Sequence, residues 1–207
     1  MLPHPTHDRL VALGLAGMAK ALEEQRGQRN VEGLTFDERL GLLVDREAAE
    51  RESKRLVTRL KFANLRQNAT PEDLNTKAVR CLDRAVFAKL ATGDWIARRQ
   101  DLLITGKTGL GKSWLACALG HKACRDDRSV AYHRVPRLLE ALALARGDGR
   151  YARLLKSLAR VELLILDDWG LAPLTSQQGR DLPGDRRRPA RPGQHHRDQP
   201  VAGRSLA

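Results

Sequence analysis

Cysteine is scarce in this chain, and acidic residues are too few to balance the basic ones. Only Cys81, Cys117 and Cys124 occur, an odd set without a CxxC pair, so neither a disulfide framework nor a zinc site is indicated. The latter two fall in an expected helix, where buried core thiols are the ordinary explanation. Long apolar runs are missing as well. No stretch approaches the length of a membrane-spanning helix. Asp8, Arg9 and Lys20 interrupt any apolar segment that a signal peptide would need. These absences lead to the expectation of a cytoplasmic protein without a membrane association.

Positive charge is what abounds. Lys and Arg number 37 against 25 Asp and Glu, a net charge of +12 over 207 residues. Such an excess favours polyanionic partners, because each cation set against a phosphate releases counterions. Nucleic acid is the leading candidate, with an anionic membrane surface and a merely solvated basic surface as the competing explanations. A chain of this length, with 42% hydrophobic residues, fits one medium domain plus a smaller appendage.

Periodicity divides the chain. Residues 6–25 read as an amphipathic helix with Leu10, Leu13, Met18 and Leu22 as its apolar stripe. Thr35 and Glu38 form a capping box that opens a second helix over residues 36–64. In that helix Leu40, Leu43 and Val44 are expected to be buried and Glu47–Arg51 to pair. Thr70-Pro71 breaks the pattern, so residues 1–67 are assigned to a helical N-terminal region and 68–82 to a linker. Residues 83–182 then alternate in the α/β manner. Strands are expected at 101–105, 129–133 and 163–166, and helices at 83–91, 112–125, 136–145 and 151–160.

The chemistry concentrates in the loop after the first expected strand. Gly106, Lys107, Thr108, Gly109, Leu110, Gly111, Lys112 and Ser113 satisfy G-x-x-x-x-G-K-[ST] in full, between an apolar strand and a helix. Glycines let backbone amides turn inward around phosphates, Lys112 reaches the β- and γ-phosphates of ATP, and the Ser113 hydroxyl ligates Mg²⁺. The dipole of the following helix adds to the cradle. The third strand ends in Asp167 and Asp168. Asp167 is expected to hold Mg²⁺ and Asp168 to polarise the attacking water, against the plainer possibility of two acids capping a surface turn. Trp95 is either an adenine platform or, more in keeping with its type, core packing. His121, His133, His195 and His196 lack metal-ligand spacing.

Arg46, Arg51, Lys54, Arg55, Arg59, Lys61 and Arg66 make the second helix and its exit basic, and Arg51, Arg55 and Arg59 share a face that could track a phosphate backbone. Glu47, Glu50 and Glu52 interleave with them, so a solvated helix face is nearly as good an explanation.

Several stretches taken together resemble the IstB-like transposition helper ATPases, AAA+ relatives of the DnaC helicase loader. They are residues 1–6, Arg9-Leu10, 90–96, the loop from Gly106 to Ser113 with 114–120 behind it, 151–155 and 163–170. The resemblance implies an ATP-dependent helper of an insertion sequence that forms homo-oligomers on double-stranded DNA and works with a transposase. It implies nucleotide and Mg²⁺ roles for Lys112 and Ser113, a Mg²⁺ role for Asp167 and water activation for Asp168. A helicase-loader role in DNA replication shares these motifs. A non-catalytic DNA-binding remnant is the rival from another class, and a small-molecule kinase suits the acid pair less well.

The resemblance fades near Gln178-Gly179 and ends after Leu182. Residues 183–207 carry six Arg, four Pro and three Gly without periodicity or an aromatic residue, and disorder is expected there. In the family, a sensor strand stands between the P-loop strand and the strand of the acid pair. The expected fold is therefore a P-loop NTPase (AAA+ type) parallel sheet core, incomplete at the C-terminus. Truncation by a frameshift near codon 182 would produce this composition, and resequencing the locus tests that. Each buried backbone group left unpaired costs about 1–3 kcal/mol, which over one strand rivals the usual net stability of about 5–15 kcal/mol. Hydrolysis by such a chain is expected to be weak.

Overall fold

A computed structural model describes residues 4–28, 31, 33–74 and 83–170. The chain forms two compact units, Met1–Thr58 and Arg59–Ala207. The division falls inside a helix, upstream of the expected linker. The described part of that linker is packed rather than loose: Ala69 is fully buried, and Thr70 and Asp73 form a capping box over a short 3₁₀ turn, Pro71–Asp73. Residues 75–82, with Cys81, and the tail expected to be disordered lie outside the described residues.

The first unit starts with two helices where one was expected, α1 at Pro5–Ala12 and α2 at Ala16–Gly27. Gly14 breaks the run. Its φ of 74° is left-handed. The Gly14 amide donates to the Val11 carbonyl at 2.9 Å and the Leu15 amide to the Leu10 carbonyl at 2.8 Å, which is the Schellman ending of a helix. Next comes α3, Phe36–Ala63, opened by the expected capping box: the Thr35 amide and hydroxyl both donate to Glu38 at 2.8 Å.

Burial on α3 differs from expectation. Leu40 is 39% exposed and Val44 51% exposed, and Leu43 is half-buried. The cause is a close backbone approach. A Cβ on Gly17 would lie 2.7 Å from the Glu47 Cα, so α2 rests on the side of α3 that carries Arg46 and Glu47. Gln25 donates to the Arg39 carbonyl on that same side. The contact is thus made by the α3 backbone and by Glu47 rather than by Leu40 and Val44. Glu47, only 7% exposed, accepts from the amides of Gly17 (2.7 Å) and Met18 (3.2 Å) and from Arg51 (2.7 Å). It therefore caps α2, whose own N-cap residue, Leu15, has no side chain able to do so.

In the second unit, α4 (Arg84–Ala91) is capped by the Asp83 carboxylate, and a one-turn α5 (Asp94–Ala97) follows. The long α6 is Lys112–Arg125, then β1 (Val130–Arg134), α7 (Val135–Gly147), α8 (Tyr151–Arg160) and β2 (Leu163–Asp167). β1 and β2 pair in parallel, Val130 opposite Leu163 and Arg134 opposite Asp167, joined by the α7–α8 crossover. Both faces are covered, which explains the unbroken apolar run of β2. Leu164 and Leu166 pack on Leu138, Leu142 and Leu158, whereas Ile165 and Tyr132 pack on Cys117 and Ala118 of α6. α6 comes so near that a Cβ on Gly120 would sit 2.8 Å from Ile165 Cδ1.

Residues 101–105, expected to be a strand, make no ladder with β1 or β2. Leu102 and Ile104 pack against Phe87, Leu115 and Leu119, while Leu103 is 72% exposed. The burial therefore alternates as in a strand, but among the described residues no neighbour exchanges hydrogen bonds with it.

Candidate nucleotide site

The loop between residues 105 and 112 turns through conformations that few side chains tolerate. Gly109 and Gly111 have φ of 88° and 84°. A Cβ at either would meet nothing within 4 Å, so the requirement for glycine there lies in the backbone angle rather than in crowding. The Lys112 ammonium is drawn into the curl and donates to the carbonyls of Gly106 (2.8 Å) and Lys107 (2.9 Å). α6 starts at that residue, so its free amides and positive dipole end face the loop.

Ser113, in the first turn of α6, lies beside the carboxylate of Asp167 at the end of β2, near enough to favour its charged form. The two ends meet although residues 101–105 do not join the sheet, because α6 is held to β2 through Gly120 and Ile165. Burial alone would push the Asp167 carboxyl up. Hydrogen bonds from Tyr132 and the Asp168 amide, with the nearby Ser113 hydroxyl and the Arg66 charge, hold it below the usual range. The Tyr132 hydroxyl donates to Asp167 Oδ2 at 2.5 Å, and the Asp168 amide donates to Oδ1 at 2.9 Å.

Asp168 sits just beyond β2 with a left-handed φ of 59°, unusual for a non-glycine residue. Arg134, closing the parallel strand β1, donates through Nε to Asp168 Oδ2 at 2.5 Å. Trp169 is exposed and Gly170 has a φ of 79°, so β2 is followed directly by a turn.

Three site neighbours escaped the sequence analysis. Tyr132 and Arg134 would have been found only with the β1–β2 register in hand. Arg66 was grouped with the basic residues of α3, yet its guanidinium lies 3.6 Å from Asp167. Two of the three arginines on the supposed DNA-tracking face are also engaged within the chain. Arg51 pairs with Glu47, and Arg59 pairs with Asp127 at 2.6 Å and donates to the Cys124 carbonyl. Arg55 is exposed.

The Trp95 indole donates to the Leu90 carbonyl at 2.9 Å, a packing role. Cys117 and Cys124 are free and buried, and burial pushes the Cys124 thiol up to about 11. Among the described residues no cluster of three or more His, Cys, Asp or Glu could hold a metal by itself, and no helix is long and apolar enough to cross a membrane. A hydroxyl beside a single carboxylate does suit Mg²⁺, which takes few protein ligands and completes its shell with phosphate oxygens and water. His195 and His196 lie outside the described residues.

A glycine-turned loop that opens a helix, with an acid-ended parallel strand brought to the same helix start, defines the P-loop NTPases, and the chain is built as one. Within that class it belongs to the family of IstB-like ATP binding proteins, whose model matches residues 8–183. It is 59% identical over 182 residues to the "Putative insertion sequence ATP-binding protein y4pL" of Sinorhizobium fredii, covering 88% of this chain and 74% of that protein. It is 52% identical over 183 residues to the "Insertion sequence IS1162 putative ATP-binding protein" of Pseudomonas fluorescens, covering 88% and 79%. A more distant relative, "Putative ATP-binding protein Rv3427c in insertion sequence" of Mycobacterium tuberculosis, is 31% identical over 173 residues, covering 84% and 69%. The family match stops at residue 183, where the composition of the chain changes.

Proposed function

We propose that the chain is the ATP-binding helper of an insertion sequence, a cytoplasmic protein that binds ATP with Mg²⁺ and duplex DNA and cooperates with a transposase. The contact between Ser113 and Asp167 carries this reading, because it unites the phosphate loop and the acid-ended strand at one point. The amides of residues 106–113 receive the phosphates, and Lys112 turns from its carbonyl partners toward the β- and γ-phosphates. Ser113 and Asp167 hold the cation. When bound there, Mg²⁺ would supply positive charge to the phosphate oxygens. Asp168 accepts a hydrogen bond from the attacking water once its carboxylate is released from Arg134. The chain's positive charge and its insertion-sequence relatives support the DNA and transposase assignments.

Residues 101–105, which form no ladder among the described residues, favour a second reading for catalysis, in which the chain binds nucleotide and turns it over slowly. ATP turnover with and without duplex DNA, with Lys112→Ala as the control, tests both readings. DNA-stimulated hydrolysis that Lys112→Ala abolishes supports the helper ATPase. Nucleotide binding without turnover supports the slow binder. DNA retention with no nucleotide dependence contradicts both.

A further inference from the structure

Asp167 is held from its far side by two residues that the phosphate loop does not supply. Tyr132, 6% exposed in β1, stands opposite Ile165 in the parallel register. Side chains two apart on a strand share a face, so Asp167 lies next along from Ile165 on the side covered by α6. The phenol reaches along this face, and its hydroxyl donates to Asp167 Oδ2 at 2.5 Å.

Arg66 comes from the segment after α3, with Nη1 3.6 Å from the same carboxylate oxygen, Asp167 Oδ2, that the phenol contacts. Leu65 and Ala69, on either side of it in sequence, both pack into the core cluster containing Tyr132 and Cys117, so the backbone that presents Arg66 is fixed. The Asp168 amide occupies Oδ1. With one donor fixed on each oxygen, the carboxylate has one plane and one rotamer, and its remaining lone pairs are left for Ser113 and a cation.

We infer that Tyr132 and Arg66 are positioning residues for Asp167: the phenol and the guanidinium converge on Oδ2 and together fix the carboxylate that receives the divalent cation of the bound nucleotide. This rests on the assignment of Ser113 and Asp167 as cation ligands. Neither residue touches the nucleotide. Their effect is confined to the contribution the cation makes to binding, as with other groups that orient a metal ligand from outside its shell.

The test is the affinity of the full chain for a fluorescent ATP analogue, measured with Mg²⁺ and with EDTA, in wild type, Tyr132→Phe, Arg66→Ala and Arg66→Lys. The affinity in EDTA should be the same in all four proteins. The enhancement by Mg²⁺ should fall about 10-fold in Tyr132→Phe, by less in Arg66→Ala, and recover in part in Arg66→Lys. Enhancement that Tyr132→Phe leaves unchanged overturns the inference alone. Loss of affinity in EDTA in step with the loss in Mg²⁺ overturns it too, by showing a general structural role. A wild-type protein without any Mg²⁺ enhancement overturns both the inference and the cation-ligand assignment beneath it.

Discussion

The side chain of Ser113, at the start of α6, lies close enough to the carboxylate of Asp167, at the end of β2, to help hold that carboxyl ionised. A hydroxyl and a carboxylate aimed at one point are hard oxygen donors of the kind Mg²⁺ selects. Ser113→Ala removes one of them and leaves the loop amides intact. The expected outcome is a nucleotide affinity unchanged in EDTA and an enhancement by Mg²⁺ reduced at least about 10-fold. Titration of a fluorescent ATP analogue under the two conditions measures it.

The first unit carries a pH dependence of its own. Hydrogen bonding from Arg51, ahead of the amides of Met18 and Gly17, holds the Glu47 carboxyl below its usual range despite burial. A carboxyl depressed in the fold stabilises it at every pH above the unfolded value and loses that contribution as pH falls through the folded value. Glu47→Ala should therefore melt earlier than wild type near neutrality, and the difference should close in strong acid. Thermal melts followed by helical circular dichroism check this, and equal melting near neutrality would contradict the capping role.

Close packing of α6 on the sheet gives a contrast between two glycines. A Cβ on Gly120 would meet Ile165 Cδ1 at 2.8 Å and Leu65 Cδ2 at 3.1 Å, whereas a Cβ on Gly147 would meet nothing within 4 Å. Gly120→Ala gains about 1 kcal/mol of helix propensity but must push two buried side-chain ends aside, so it should melt no later than wild type. Gly147→Ala, at the end of α7, should stay within about 1 kcal/mol of wild type, on the stabilising side. Denaturant melts of the two variants provide the comparison.

Residues 101–105 lack ladder hydrogen bonds to β1 and β2, and their amides should exchange with solvent as those of a loop. Hydrogen exchange followed by mass spectrometry should find peptides over 101–107 labelled early and peptides over 130–134 and 163–167 labelled late. Equal protection in all three would mean that the loop-leading segment is paired after all.

Much of the chain was legible from local signals. The bounds of α6 and α8 agree with their expected residues, and those of α3, β1 and β2 agree to within a residue, because each is written in apolar periodicity and capping chemistry. The phosphate loop was legible because its glycines answer a backbone requirement that only glycine meets cheaply. Contacts set by tertiary geometry were not. Gly14 reads as one more residue in an amphipathic run until its left-handed conformation ends the helix. Glu47 reads as half of a surface ion pair until α2 lands on it. Tyr132, Arg134 and Arg66 acquire meaning only from strand register and from the packing of Leu65 and Ala69. The expected strand at 101–105 failed for a related reason, since an apolar alternation states a preference for a sheet but cannot provide the neighbouring strand.

The central proposition is that the loop from Gly106 to Ser113 and the acid Asp167 bind one nucleoside triphosphate. Calorimetric titration of ATP with Mg²⁺ into the folded chain, beside Lys112→Ala, tests it most directly. Saturable uptake by wild type, weakened at least about 10-fold by the loss of the lysine's charge-assisted hydrogen bonds, is the expected result. No uptake by a folded sample, or the same affinity in Lys112→Ala, would contradict it.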